Sequence, residues 1–119
     1  MPLVVSDTSP IRALFHLQRL DLLSRLFNVI LIPPAVSDEL SHPSKRFPPI
    51  EVARISGAVV RSPAREDDVR DLLRELQAGE AQAIALAEEV NAQLLIEEMA
   101  GRLIAQRRGL RVNGVVGVL

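Results

Sequence analysis

Residues 3–14 read LVVSDTSPIRAL, and the character of the chain changes at Asp7. Ahead of Asp7 the apolar, partly β-branched run reads as a short buried strand, bounded by Pro2 and by the Asp-Thr-Ser-Pro turn. Behind it Thr8 or Ser9 offers an oxygen cap and Pro10 falls in the first turn, which is how a helix begins. A carboxylate at that handover is either a redundant cap, since the hydroxyls already suffice, or one wall of a cation site.

The same alternation repeats along the chain. IRALFHLQRLDLLSRLF (11–27) places its apolar residues on two different faces, predicting two short helices bent near Gln18 and Arg19. NVILI (28–32) is a second strand, and PAVSDEL (34–40) turns helical with Pro34 in its first turn. SHPSKRFPP (41–49) is a loop by its prolines, IEVARIS (50–56) reads as helical, and AVVRS (58–62) is a third strand. AREDDVRDLLRELQAGE (64–80) carries Val69, Leu72, Leu73 and Leu76 at helical spacing, with Gly79 expected to break it. EAQAIALAEEV (80–90) is a small-residue helix suited to close packing on a sheet. AQLLI (92–96) is a fourth strand, MAGRLIAQRRG (99–109) a helix stopped by Gly109, and LRVNG (110–114) a fifth strand. Strands alternating with helices predict an α/β fold, a parallel sheet of four to five strands with helices on both faces. Such sheets gather their functional groups beyond the carboxyl ends of the strands.

At 119 residues the chain suffices for one core and reads as a single domain, 1–119. Its closing residues VVGVL begin what reads as another helix; so apolar a turn is normally continued or covered, and the expectation is a missing C-terminal helix or a partner. The absence of cysteine excludes a disulfide framework and a thiolate metal site, and suits a reducing cytoplasm. The start lacks the basic leader and cleavage site of a signal peptide, and NVILIPPAV is too short, with two prolines, to span a bilayer. The expected location is cytoplasmic. A net charge of −1 exerts no global pull on nucleic acid, but Arg102, Arg107, Arg108 and Arg111 cluster in the last eighteen residues. Such a cluster is either a solvated helix face or a phosphate-reading one.

Four acidic positions fall at comparable places in this plan. Asp7 follows strand one, Glu39 lies in the helix after strand two, Glu80 opens the small-residue helix, and Glu97 and Glu98 follow strand four. Each alone has an ordinary explanation; Glu80, for example, gains about 0.3–1 kcal/mol from the macrodipole in a first helical turn. Together they are different, because carboxylates converging on one cleft repel one another unless protons or cations compensate. With no cysteine, and with His16 and His42 lacking any paired spacing, the all-oxygen donor set points to Mg²⁺ or Mn²⁺ rather than zinc. Both histidines read as structural.

The stretches VVSDTSPIRAL, VILIPPAVSDEL, GEAQAIALA and LLIEEMAGRLIAQRRGLRVNGVVGVL, in this order and spacing, resemble the PIN-domain family. The likeness is strongest to the VapC-like branch of small prokaryotic PIN proteins. It implies a three-layer α/β/α fold and Mg²⁺- or Mn²⁺-dependent cleavage of single-stranded RNA. It also implies a toxin role opposed by a cognate antitoxin, usually in a homodimer. Position by position, Asp7 matches the first metal-binding aspartate and Ser9 the hydroxyl beside it, with Thr8 in the same supporting role. Glu39 matches the glutamate of the second motif, Glu80 a position that is often aspartate, and Glu97 with Glu98 the acidic pair after strand four. Relatives usually carry aspartate first in that pair, and a glutamate there loosens the geometry that Mg²⁺ demands.

The resemblance thus implies metal held by Asp7, Glu80 and Glu97 or Glu98. Glu39 completes the set or orients water, and Ser9 is a hydrogen-bonding support rather than a nucleophile. RNA would be gripped through phosphates, with Arg102, Arg107 and Arg108 as the candidates. Only three aromatic residues, all Phe, leave little for base stacking. Two other readings stand beside this one: a PIN-fold module that binds nucleic acid or protein without catalysis, and a flavodoxin-like receiver. The latter needs an aspartate ending strand three, where the chain has VVRSP.

Overall fold

The computed structural model describes residues 3–42 and 44–119; Pro2, read above as a strand boundary, and Pro43 of the loop lie outside the described residues. The elements run β1 (Leu3–Ser6), α1 (Thr8–His16), α2 (Asp21–Leu26), β2 (Val29–Ile32), α3 (Pro34–Ser41), β3 (Ala58–Val60) and α4 (Glu66–Leu72). They continue through α5 (Ala78–Val90), β4 (Gln93–Leu95), α6 (Met99–Arg107), β5 (Val112–Asn113) and α7 (Val115–Val118). The five strands form one parallel sheet in the order β3-β2-β1-β4-β5. This is the α/β plan expected from the alternation of strand and helix patterns.

Period-two alternation explains how each strand serves two cores. Val4, Ile30, Ile32 and Leu95 face one side, where Ile11 and Leu14 of α1, Leu23 of α2 and Val115 and Val118 of α7 cover them. Val5, Leu31, Leu94 and Ile96 face the other, against Leu72 of α4, the alanine-rich side of α5 and Ala105 of α6. Ala81, Ala83 and Ala87 are fully buried, so α5 lies close on the sheet as its small residues predict.

The break between α1 and α2 also falls where the pattern places it. Gln18 takes a left-handed φ of 58°, while the N–H of Arg19 reaches the Leu14 carbonyl at 2.8 Å and that of Gln18 the Phe15 carbonyl at 3.0 Å. That is a Schellman ending with glutamine where glycine is usual. Pro34 occupies the start of α3, as expected.

Two expectations fail. IEVARIS forms only a single 3-10 turn, Val52–Arg54, because Ile50, Val52 and Ile55 are drawn into the core and dictate the path. Gly79 does not break a helix: α4 ends at Leu72, turns follow, and Gly79 lies inside the first turn of α5. The reason is steric. A Cβ on Gly79 would meet Glu39 Oε1 at 2.8 Å and Asp7 Oδ1 at 3.3 Å, so glycine lets three elements meet.

Gly101 of α6 has a similar task against Ile96, where an added Cβ would come within 2.5 Å of the buried Cδ1. Gly101→Ala is therefore expected to destabilise the fold by about 1–3 kcal/mol, read from urea denaturation at unchanged m-value.

Candidate functional site

β1 is the strand from which the chain departs in both directions: toward β2 and β3 first, then back across to β4 and β5. Ligands of open parallel sheets bind outside the carboxyl ends of strands at such a reversal. β1 and β4 pair with Ser6 opposite Leu95, and the Asp7 N–H continues the ladder to the Leu95 carbonyl at 3.0 Å. The residues that follow each strand therefore emerge side by side.

α3 and α5 close over this edge. The Ala35 N–H at the start of α3 donates to Gln82 Oε1 of α5 at 2.9 Å, stitching the two helices together. A cleft of about 60 Å³ results, lined by Asp7, Thr8, Ser9, Arg12, Glu39, Gln77, Glu80 and Glu98. Four carboxylates from four separate parts of the sequence border one small space.

Asp7 stands at the N-cap of α1, yet its side chain makes no capping hydrogen bond, and it is 6% exposed. Glu80 does serve as a cap: its Oε1 accepts the Gln77 N–H at 3.4 Å. Its other oxygen, Oε2, is buried with no partner. Among the described residues the buried side-chain polar atoms without a partner are Thr8 Oγ1, Arg12 Nε and Glu80 Oε2, and all three belong to residues lining this cleft. Orphaned polar atoms are rare in folded proteins and mark a place where an ion, water or ligand belongs.

The protonation of the cleft reflects its crowding. Burial raises the Asp7 carboxyl from 3.8 to about 6, with the charges of Glu39 and Glu98 adding and the Thr8 N–H opposing. Burial likewise raises Glu80 from 4.5 to about 7; the charges of Asp7 and Glu98 add to it and the Gln77 N–H opposes. Retained protons on Asp7 and Glu80 offset part of this charge, and a cation would offset more of it. The donor set is all oxygen and fits a hard divalent cation. Among the described residues no three His, Asp or Glu side chains stand in a ligating arrangement, so these are converging carboxylates rather than a preassembled shell.

Glu97 goes elsewhere. Its Oε1 accepts the Val115 N–H at the start of α7, so this carboxylate clasps the closing helix while Glu98, at the N-cap of α6, borders the cleft. The C-terminal arginines are dispersed as well. Arg102 Nη1 donates to the Ile96 carbonyl at 3.0 Å, while Arg107 and Arg108 line a hollow beside Asp71 and Glu75, with Arg108 paired to Glu88. The cation that borders the cleft is Arg12, which the motif reading passed over. Its signal was present: Ser9 and Arg12 are three residues apart on one helix and so share a face.

A pH dependence follows from the two raised carboxyls. Each is neutral more readily in the folded chain, so its contribution to stability is whole below about pH 4 and is lost as pH rises through about 7. In chelator-treated protein, Tm is expected to fall between about pH 4 and 8 by about 5 °C more in wild type than in Glu80→Gln. Equal slopes would show that Glu80 titrates normally.

A family model described as a PIN domain matches residues 3–119. PIN domains are in general nucleases, and they generally use divalent metal ions. A search of curated proteins returns no match. The parallel sheet, the acidic switch point and the match over residues 3–119 converge on one assignment, and the chain belongs to the PIN-domain family.

Proposed function

We propose that the chain, as a single PIN unit, is a Mg²⁺- or Mn²⁺-dependent endoribonuclease acting on single-stranded RNA. The observation that carries this reading is the cleft in which Asp7, Glu39, Glu80 and Glu98 converge and whose lining residues bear the buried side-chain polar atoms without a partner among the described residues. A bound divalent cation would generate hydroxide for in-line attack on a phosphodiester and neutralise charge on the departing 3′-oxygen.

The chain's own residues supply the rest. Asp7, Glu80 and Glu98 would hold the cation, and the raised carboxyls of Asp7 and Glu80 would give up their protons as it binds. Glu39, exposed on α3, is free to orient a water and accept its proton. Ser9 and Thr8 support Asp7 from the first turn of α1, and Arg12 holds positive charge at the rim where a phosphate must approach. The resemblance to VapC-like proteins extends the proposal to a toxin held by an antitoxin, working as a homodimer in the cytoplasm. No helix among the described residues is long and apolar enough to cross a membrane.

A second reading has its own support. Since no ligating arrangement is ready-made, a module that keeps the fold and binds RNA or protein without cutting is the alternative. Mn²⁺ titration against a mixed single-stranded RNA pool separates the two. Under the nuclease reading, wild type cleaves only with the ion, and Asp7→Asn and Glu98→Gln each lose about a hundredfold or more in rate. Glu97→Gln, by contrast, keeps cleavage and loses thermal stability, because its partner is Val115 rather than the cleft. Absence of both Mn²⁺ binding and cleavage in wild type would establish the non-catalytic module.

A further inference from the structure

The acidic cleft, at about 60 Å³, has room on the scale of an ion with its waters. A nucleotide must lie outside it. Next to the cleft is a groove of about 810 Å³, and Arg12 lines both. We propose that this groove binds one or two unpaired nucleotides flanking the scissile phosphate, with Arg12 at the junction holding the phosphate between them. The proposal rests on the ribonuclease reading for its substrate class and on the groove itself for its location.

The groove is built from the end of α1, the turn into α2 and the loop 44–50. Its volume falls within the range of small-ligand sites. Of the three aromatic residues in the chain, Phe27 is in the core, and the other two, Phe15 and Phe47, line this groove. Phe15 is 39% exposed and Phe47 is half-buried, so both rings reach the surface at this groove. Two guanidiniums attend the second ring, Arg12 at 4.6 Å and Arg46 at 5.7 Å from the Phe47 centroid.

Aromatic faces interleaved with arginine are what unpaired bases and their phosphates require, since stacking serves any base and the cations follow the backbone. The acid bordering the groove, Asp21, is already paired with Arg19 at 3.4 Å and Arg25 at 3.6 Å, so it does not cancel Arg12 and Arg46. Arg12 Nη2 donates to the Glu39 carbonyl at 2.9 Å, while its buried Nε has no partner and remains to be used. Gln18 adds a side-chain amide at the turn, on backbone that glycine would adopt more easily. Continuity with the acidic cleft through one arginine favours a nucleotide over an apolar helix of a partner protein, which has no use for that junction.

The test is binding of a short, fluorescent, mixed-sequence single-stranded RNA to metal-free protein, followed by Mn²⁺-dependent cleavage of the same RNA. Phe15→Ala and Arg46→Ala change exposed side chains, and Gln18→Gly relieves the left-handed backbone, so at least the last retains the fold. Each is expected to weaken binding about tenfold and to raise KM by the same factor at unchanged kcat. Wild-type affinity in all three variants, with cleavage intact, overturns the groove assignment and leaves the nuclease reading standing. Weakened binding in the variants with no cleavage by wild type overturns the nuclease reading and supports the groove. Displacement of nothing by RNA, with saturation of the groove by an acidic amphipathic peptide, overturns the nucleotide assignment in favour of a protein occupant.

Discussion

The parallel pairing of β1 with β4 governs everything at the acidic edge. Backbone hydrogen bonds fix Ser6 opposite Leu95 and carry the ladder one residue further through the Asp7 N–H. The Cα atoms that bear the carboxylates therefore cannot separate, whatever the charges prefer. Burial in this cleft raises the carboxyls of Asp7 and Glu80, and the repulsion that two surface side chains would relieve by moving apart adds to the shift. A ladder of backbone bonds is cooperative and insensitive to ionic conditions in a way that side-chain pairs are not.

The helices add a second constraint from above. Because α5 presents alanine to the sheet, its first turn comes down far enough for Glu80 to enter the cleft, and Gly79 lets α3 bring Glu39 alongside. Glu80 then holds two positions at once. One oxygen closes the capping box with Gln77, which fixes the side chain; the other is left facing the cleft without a partner. An ordinary helix-start residue and a candidate ligand are one and the same side chain, so the two accounts of it do not compete.

Much of this was legible because the chain states its periods clearly. Continuous apolar, β-branched runs in LVVS and VILI mark strands buried on both faces, Pro34 announces α3, and the change of apolar face near Gln18 locates a bend. Gly79 misled because local propensity says break, while the close meeting of three elements says otherwise. The division of labour between Glu97 and Glu98 was illegible for a different reason: adjacent residues on extended backbone face opposite ways, and only the true end of β4 decides which faces inward. The loop 44–50 has no period at all, so its groove was illegible, although the spacing of Ser9 and Arg12 on α1 already put Arg12 on the face of the cleft.

Opposite orientation of neighbouring glutamates has an evolutionary corollary. Between Leu95 and Met99 an insertion or deletion of one residue would exchange the clasp on α7 for the carboxylate that borders the cleft, disturbing the helix anchor and the acidic edge in a single step. The segment facing Phe15 carries no such parity. A change of chain length after β4 thus disturbs two functions of the backbone at once, whereas one in the loop 44–50 leaves the acidic edge in place.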